Sequence, residues 1–205
     1  MNATTTPETL VPDTIGTPFE GGFYGGKIRI NQAIFAIVWA PKAEGETKGK
    51  WLDSYADIPG ATSCFDSMAN TKAMAEAGSP IAKWALNLAV NGYADWCIPA
   101  RDVLEMGYRY LKPTTEENCV SFRDGDNASS LPAGYPYAEA SPAQTTAESF
   151  KDGGAEAFEA RWHWSSTQYS ASSAFSQHFD GGYQHDYDKS YEGRARAVRL
   201  IQLSS

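Results

Sequence analysis

The last third of the chain constrains the fold most strongly. Residues 164–167 read Trp-Ser-Ser-Thr, and residues 194–199 close the segment with three arginines. Between these blocks, aromatic side chains alternate irregularly with serine, glycine, histidine and aspartate, and no single helical or strand period fits them all. This mixture is typical of binding loops, because tyrosine supplies contact area at low entropic cost and small polar residues supply adaptable hydrogen bonds. An aromatic-rich β-edge with ordinary solvated turns is the alternative interpretation.

Length and charge narrow the functional classes. A chain of 205 residues is long enough for one domain that buries about 70% of its unfolded surface. The net charge of −8, from 17 basic and 25 acidic residues, argues against a protein that follows nucleic-acid phosphates. Apolar residues are scattered, without the ~20-residue run that a membrane span needs. We therefore expect a globular protein with no nucleic-acid partner and no membrane insertion.

The cysteines and the first residues indicate where the protein is made. Cys64, Cys97 and Cys119 are too widely spaced for a paired metal motif or a dense disulfide framework. They predict buried, reduced thiols in a protein made in a cytosol. The first residues lack the basic and apolar regions of a secretory signal. If the protein acts outside a cell, the sequence predicts release by another route.

The amino-terminal quarter predicts an arm followed by strands. Residues 1–22 are rich in threonine, proline and glycine, which predicts an extended arm ahead of a domain at 23–205. A frayed terminus is the alternative. Residues 23–39 carry β-branched and aromatic side chains and predict two strands. The charged residues 40–50 predict a hairpin loop.

Three helices are predicted in the middle of the chain. The first covers 66–77 and ends at Gly78, and the second starts at Ser79 with a proline in its first turn. The third ends before Pro113.

Residues 113–160 predict a long polar loop region, and β structure resumes at Arg161, with a closing strand at 194–203. The order of strands, helices, loop and strands predicts an α+β fold.

Two blocks of the sequence resemble one known family. Residues 92–104 are similar to the GxxDWxLPxRxEL segment of bacterial and phage domains called DUF1566 or Lcl C-terminal domains, which have a C-type-lectin-like fold. Residues 164–199 resemble the closing block of that family, with Phe179, Gly182 and Lys189 at matching places. The resemblance covers about residues 23–203. Ala100 departs from the family, which commonly has serine or threonine there, so a helix N-cap of ~1 kcal/mol is expected to be missing.

The resemblance implies a fold and a binding face. The expected fold is a mixed domain with an antiparallel sheet, two or three flanking helices, long loops, and pairing between amino- and carboxy-terminal strands. Some relatives are variable proteins of diversity-generating retroelements, including phage receptor-binding tips, in which the segment between the two closing motifs contacts the ligand. Mapped onto this sequence, the implied ligand contacts are Tyr169, Ser172, Phe175, His178, Tyr183, His185, Tyr187, Asp188 and Tyr191.

Catalytic and metal sites are poorly supported. Residues 124–127 (Asp-Gly-Asp-Asn) lack the spaced ligands of an EF-hand and predict a solvated turn rather than a calcium site. His163 is expected to be structural, and the spacing of the three histidines does not indicate zinc. A set of Ser165, His178 and Asp180 lacks a nucleophile elbow. We predict a non-enzyme without cofactor or metal. The arginines at 194–199 are expected to pair with acidic loops inside the molecule.

The leading hypothesis from these observations is a phage or prophage virion protein. It would bind a glycan or protein on the bacterial surface, attach to other virion proteins through the arm, and form a homo-oligomer, for instance a trimer. The virion would assemble in the host cytoplasm, which is compatible with reduced cysteines. The alternative is a decoration or assembly protein that binds only neighbouring capsid or tail proteins. A bacterial surface adhesin is a third possibility, which requires an export signal.

Overall fold

The chain folds into two β-sheets and four α-helices across the residues described by a computed structural model, 5–121 and 124–204. The first sheet consists of β1 (Thr6–Pro7), β2 (Pro18–Phe19), β3 (Gly22–Ile30), β4 (Ala33–Trp39), β6 (Ser130–Leu131) and β11 (Val198–Ser204). The second consists of β5 (Glu46–Lys50), β7 (Trp162–Gln168), β8 (Ser173–His178), β9 (Gln184–Asp188) and β10 (Glu192–Arg196). The helices are α1 (Lys42–Gly45), α2 (Ser67–Glu76), α3 (Pro80–Leu86) and α4 (Arg101–Leu111). The predicted α+β class is confirmed.

The hairpin of β3 and β4 lies at the centre of the first sheet, and β11 pairs antiparallel with β4. Asn31 has a φ of 55°, the left-handed conformation that tight hairpin turns need and asparagine tolerates. Ile28 and Trp39 are fully buried and belong to the same hydrophobic core as Val103 of α4. The two strands predicted within 23–39 are therefore confirmed, and a strand near the carboxy terminus pairs with one of them.

The amino-terminal segment lies on the first sheet. β1 pairs in parallel with β11, and β2 pairs antiparallel with β3. The N–H of Gly16 donates to the carbonyl of Tyr24 (2.8 Å), and the N–H of Tyr24 donates to the carbonyl of Thr17 (2.9 Å). Residues 6–22 therefore pack against their own domain, which corrects the predicted extended arm at 1–22; its first four residues lie outside the described part.

Two local predictions are wrong because distant segments pair. Residues 40–50 form α1 and β5 instead of a hairpin loop, and β5 pairs antiparallel with β10.

The predicted closing strand at 194–203 is divided between the two sheets. At the division, the N–H of Ala197 donates to the carbonyl of Gly45 (2.8 Å), and its carbonyl accepts from the N–H of Ala40 (3.0 Å). The pairs β1–β11 and β7–β10 are parallel, so the sheets are not purely antiparallel.

The caps of α2 and α3 follow the predicted signals. Asp66 accepts a hydrogen bond from the N–H of Ala69 (3.0 Å) and caps α2. Gly78 follows this helix with a φ of 102°, a conformation that favours glycine. Ser79 accepts from the N–H of Ala82 (3.3 Å) and caps α3. Both predicted helices are confirmed.

Tertiary contacts replace the missing cap of α4. Ala100 has no side-chain acceptor, as expected. The N–H of Arg101 instead donates to Oγ1 of Thr167 (2.9 Å), and the N–H of Asp102 donates to the carbonyl of Cys64 (2.8 Å). Strand β7 therefore supplies an acceptor that the helix sequence lacks, since unpaired first-turn amides need a partner.

The arginines at 194–199 pair inside the molecule, as predicted. Arg196 is buried and donates to the carboxylate of Glu156 (2.6 Å). Arg199 pairs with Asp95, and Arg194 contacts two glutamates. These ion pairs connect the closing strands to strand β5 and to loops that precede them in the chain.

The segment 113–160 has little regular structure, as predicted, and α4 anchors it. Asn118 is buried, and its Nδ2 donates to three loop carbonyls at 2.9–3.1 Å. Its Oδ1 accepts from the hydroxyl of Tyr108 (2.6 Å) and from Nζ of Lys112 (2.9 Å). One side chain therefore organises this loop.

Candidate functional site

One surface of the second sheet concentrates aromatic side chains. The register opposes Trp162 of β7 to His178 of β8, and Ser176 of β8 to His185 of β9. Directly paired residues, and residues two apart on one strand, have their side chains on the same face of a sheet. Trp162, His178, Ser176 and His185 therefore project from one face. Tyr187 is two residues beyond His185 and projects with it. We call the following set the aromatic face: Trp162, His178, Tyr183, His185, Tyr187 and Tyr191.

Trp162 is the centre of the aromatic face. Its ring centroid lies 5.0 Å from that of Tyr187, 5.1 Å from His178 and 6.1 Å from Tyr183. The rings of Tyr187 and Tyr191 are 5.7 Å apart. These spacings are those of stacked and edge-to-face aromatic pairs. The outer tyrosines remain accessible, with exposed fractions of 38% for Tyr183, 36% for Tyr187 and 57% for Tyr191.

Two hollows border Trp162. The first, which we call the slot, has a volume of 420 Å³ and is lined by Trp162, Trp164, Ser176, Tyr187, Tyr191, Glu192 and Gly193. A Cβ at Gly193 would lie 2.6 Å from Nε1 of Trp164, so only glycine fits beside that indole. The second, which we call the acidic cavity, has a volume of 610 Å³ and is lined by Thr115, Glu116, Glu117, Cys119, Trp162, His178, Asp180, Gly181 and Tyr183.

The structure separates the predicted contacts into groups. His178, Tyr183, His185, Tyr187 and Tyr191 lie together on the aromatic face. The other four predicted contacts do not join it.

Phe175 and Tyr169 lie elsewhere because strand alternation turns Phe175 to the opposite side of β8. The ring of Phe175 packs against Tyr169, with centroids 5.2 Å apart, and the guanidinium carbon of Arg101 lies 5.7 Å from the Phe175 centroid. Ser172 is exposed at the turn before β8.

Asp188 anchors a neighbouring loop. Its Oδ2 accepts from the hydroxyl of Tyr55 (2.6 Å), and its Oδ1 accepts from the N–H (2.9 Å) and hydroxyl (2.7 Å) of Ser190. The Tyr55 bond, followed by the Ser190 bonds, lowers the pKa of this carboxyl below its ordinary value. An acceptor engaged in this way is a support of the loop rather than a free ligand contact.

The histidines have different roles. His163 is fully buried, and burial lowers its pKa to about 3, so it is a neutral core residue, as expected. Burial also lowers the pKa of His178, while Asp180 partly opposes that shift. Nδ1 of His178 lies 3.4 Å from the N–H of Asp180, from which it accepts, so the proton of the neutral ring is on Nε2. Nε2 is then the donor that His178 has for a ligand.

Sequence reasoning missed several residues of the site. Trp162 alternates with Trp164, but its position before the Trp-Ser-Ser-Thr motif kept it out of the predicted set. Glu116, Glu117 and Cys119 belong to the long loop, and no local pattern connects them to β7. The tandem tryptophans were the available signal, since side-chain alternation places Trp162 and Trp164 on the same face of one strand.

A buried lysine supports the loop that carries Tyr191. Lys189 is fully buried, and its Nζ donates to the carbonyl of Ala56 (2.8 Å) and to Oε1 of Gln168 (2.6 Å). The same nitrogen lies 4.6 Å from the ring centroid of Trp51. Within the described residues, no carboxylate lies within 4 Å of it. Burial lowers its pKa from 10.5 to about 8, with Asp57 partly opposing the shift.

This shift predicts a pH-dependent stability for Lys189. Below pH 8 the amine is charged in the folded and unfolded chains, and the folded chain bears the cost of burying the charge. Between pH 8 and 10.5 the unfolded chain binds more protons, so stability rises with pH. Urea unfolding of the wild type and Lys189→Met at about pH 7 and about pH 10 should show the wild type gaining up to about 3 kcal/mol relative to the variant. Other titrations cancel in this comparison, and a pH-independent difference would contradict the shift.

A serine nucleophile and a metal centre are not assembled at these positions. Oγ of Ser165 donates to the carbonyl of Phe175 (2.9 Å), and Ser165 is buried, so it does not pair with His178. The turn at 124–127 is largely buried, which corrects the expected solvated turn: Oδ1 of Asp124 accepts from the N–H of Gln184 (3.0 Å). Across residues 5–121 and 124–204, no three His, Cys, Asp or Glu side chains are grouped to hold a metal ion.

None of the helices in the described ranges is long and apolar enough to cross a membrane. Of the cysteines, Cys97 is buried as expected, whereas Cys119 is exposed and Cys64 is partly exposed, which corrects the prediction that all three are buried.

In comparisons with known proteins, no protein-family model matches the chain, and no curated protein matches it significantly.

Proposed function

We propose that this protein is a binding module on the surface of a phage or prophage virion, where it attaches to a receptor on the bacterial cell. The observation that carries the proposal is the aromatic face, with three exposed tyrosines grouped around Trp162 beside two hollows. The virion context comes from the resemblance of residues 92–104 and 164–199 to phage and bacterial lectin-like domains.

The physical chemistry of the aromatic face favours binding. Tyrosine and tryptophan present large, stiff, amphipathic surfaces, and ordering them costs little entropy. Two of these side chains, Trp162 and Tyr187, project from paired strands of the second sheet, so they are held in place before a ligand arrives. Preorganised aromatic contacts of this kind supply most of the energy in many recognition sites.

The proposed setting includes other virion proteins and further copies of the chain. Residues 6–22 pack on the first sheet, so attachment to a neighbouring virion protein would use that sheet edge rather than a free arm. A decoration or assembly protein would use the aromatic face as a contact with virion neighbours, and such a protein would not bind host cells. Binding to host cells therefore distinguishes these two roles.

We expect the triple variant Tyr183→Ala, Tyr187→Ala and Tyr191→Ala to lose at least about tenfold in affinity for intact host cells, because aromatic anchors at an interface each cost about 1–2 kcal/mol or more. The measurement is saturation binding of the fluorescently labelled protein to cells.

The matched control is Tyr169→Ala. Tyr169 lies outside the aromatic face and has the same exposed fraction as Tyr191 (57%). Wild-type affinity in this control, with loss in the triple variant, supports the proposal. Equal loss in both variants would contradict the assignment of the aromatic face. A wild type that binds no permissive host would favour the decoration role. Circular dichroism and thermal unfolding verify that each variant is folded.

A further inference from the structure

The charges of the acidic cavity narrow the class of ligand. Its lining contains three carboxylates, Glu116, Glu117 and Asp180, and no lysine or arginine. In the described part of the chain, none of these carboxylates lies within 4 Å of a cationic side chain. The cavity therefore presents negative charge that the protein does not neutralise by an ion pair.

The other ionisable groups near the cavity do not reverse this charge. Burial lowers the pKa of His178, so its ring is neutral at pH 7. Lys112 is buried beneath the loop, and its Nζ donates to the carbonyl of Glu116 and to Asn118. Arg161 is exposed and does not belong to the lining.

Aromatic rings belong to the lining of the same cavity. Trp162 and Tyr183 line it, with ring centroids 6.1 Å apart. The face of an aromatic ring attracts cations, and tryptophan does so most strongly. A lining that combines carboxylates with aromatic rings is complementary to an ammonium group.

The slot shares Trp162 with the acidic cavity. It is walled by Trp162, Tyr187 and Tyr191, and glycine and serine are among its lining residues. A six-membered sugar ring can pack its apolar face on aromatic rings that line a hollow of this kind, with its hydroxyl groups at the polar rim. A chain of such rings that carries an amino group is complementary to both hollows.

We propose that the aromatic face binds a saccharide chain with free amino groups, with an ammonium group in the acidic cavity and a sugar ring in the slot. This assignment rests on the proposed receptor-binding function and names its ligand class.

The test compares two probes that differ in charge. Calorimetry measures binding of the glucosamine tetramer, which carries free amines, and of the N-acetylglucosamine tetramer, which does not. We expect the wild type to prefer the amine-bearing tetramer by about tenfold or more, because each ammonium gains charge and aromatic contacts that the acetamide lacks. Added salt should reduce the preference. Equal affinity for the two tetramers, or no saturable binding of the amine-bearing one, would overturn the proposal.

The matched variant removes charge without removing volume. Glu116→Gln, Glu117→Gln and Asp180→Asn together should abolish the preference between the tetramers, and persistence of the preference would place the amine elsewhere. The same variant distinguishes this inference from the proposed function. If it binds host cells as the wild type does while the triple tyrosine variant does not, receptor binding stands and the amine assignment fails. If neither variant alters cell binding, the receptor-binding role of the aromatic face itself fails.

The thiol of Cys119 provides an independent test, because it is exposed in the wall of the acidic cavity. Alkylation with N-ethylmaleimide places a bulky group there and should abolish binding of the glucosamine tetramer. In Cys64→Ser, whose remaining thiols are Cys119 and the buried Cys97, the reagent should still abolish binding, which excludes reaction at Cys64 as the cause. Unchanged binding after complete alkylation of Cys119 would contradict occupation of this cavity.

Discussion

Replacing Glu105 by alanine is expected to lower the free energy of unfolding by about 3–5 kcal/mol, the cost of removing one partner of a buried ion pair. Glu105 and Arg109 have exposed side-chain fractions of 1% and 4%, and their closest N–O distance is 2.9 Å. Glu105 also accepts from the hydroxyl of Tyr137 (2.8 Å) and from Nδ2 of Asn127 (2.6 Å). Loss of the carboxylate leaves a buried guanidinium without its counter-charge and two donors without an acceptor.

The same network joins α4 to the long loop. Nη2 of Arg109 donates to the carbonyls of Gly125 (2.6 Å) and Tyr135 (2.9 Å). Burial raises the pKa of Glu105, while Arg109 is the strongest opposing influence. Burial therefore disfavours the charged carboxylate of Glu105, and its ion pair with Arg109 and its hydrogen bonds stabilise that charge.

A double-mutant cycle isolates this interaction. Urea unfolding of Glu105→Ala, Arg109→Met and the double variant should show that the two single losses add to more than the loss in the double variant. Glu105→Gln, which keeps the volume, should lose less than Glu105→Ala. A loss below about 1 kcal/mol for Glu105→Ala would contradict a buried ion pair at this position.

Replacing Gly182 by alanine is expected to lower the free energy of unfolding by about 3 kcal/mol, from backbone strain of about 1–2 kcal/mol and overpacking of about 1–3 kcal/mol. Gly182 has a φ of 74°, and a Cβ there would lie 2.2 Å from Cε1 of Tyr108. Tyr108 is fully buried and donates to Asn118, so its ring cannot move without disturbing the loop. Gly182 belongs to the β8–β9 turn, between His178 and Tyr183 of the acidic cavity.

Gly153 supplies the control for the backbone contribution. Its φ is 80°, and a Cβ there would meet no atom within 4 Å. Gly153→Ala should therefore lose only the strain of about 1–2 kcal/mol. Thermal unfolding of both variants gives the difference between them, which is the steric contribution. Equal losses would show that Tyr108 accommodates the added methyl group.

Much of the local structure could be predicted from the sequence. Asp66, Gly78 and Ser79 define helix ends through hydrogen bonds and a backbone conformation that depend on a few neighbouring residues. The β-branched run at 23–39 and the internal pairing of the arginines were also correct. The family resemblance and the functional assignment stay predictions.

Long-range pairing accounts for the incorrect predictions. Residues 46–50 became a strand because β10 pairs with them from about 145 positions away in the chain. Residues 6–7 and 18–19 joined the sheet because β11 and β3 offered unpaired edges. Neither pairing can be predicted from the local composition of the segment.

The sequence by itself determined the fold class, the helix ends and the region that carries the candidate site, because propensity and capping act over a few residues. Only the tertiary structure decided which side chains form that site. The register of β7, β8 and β9 joined Trp162 to His178 and turned Phe175 away, and the long loop brought Glu116 to the same cavity. The physical reason is that a strand reverses its side chains at every residue, so pairing between distant segments selects the face.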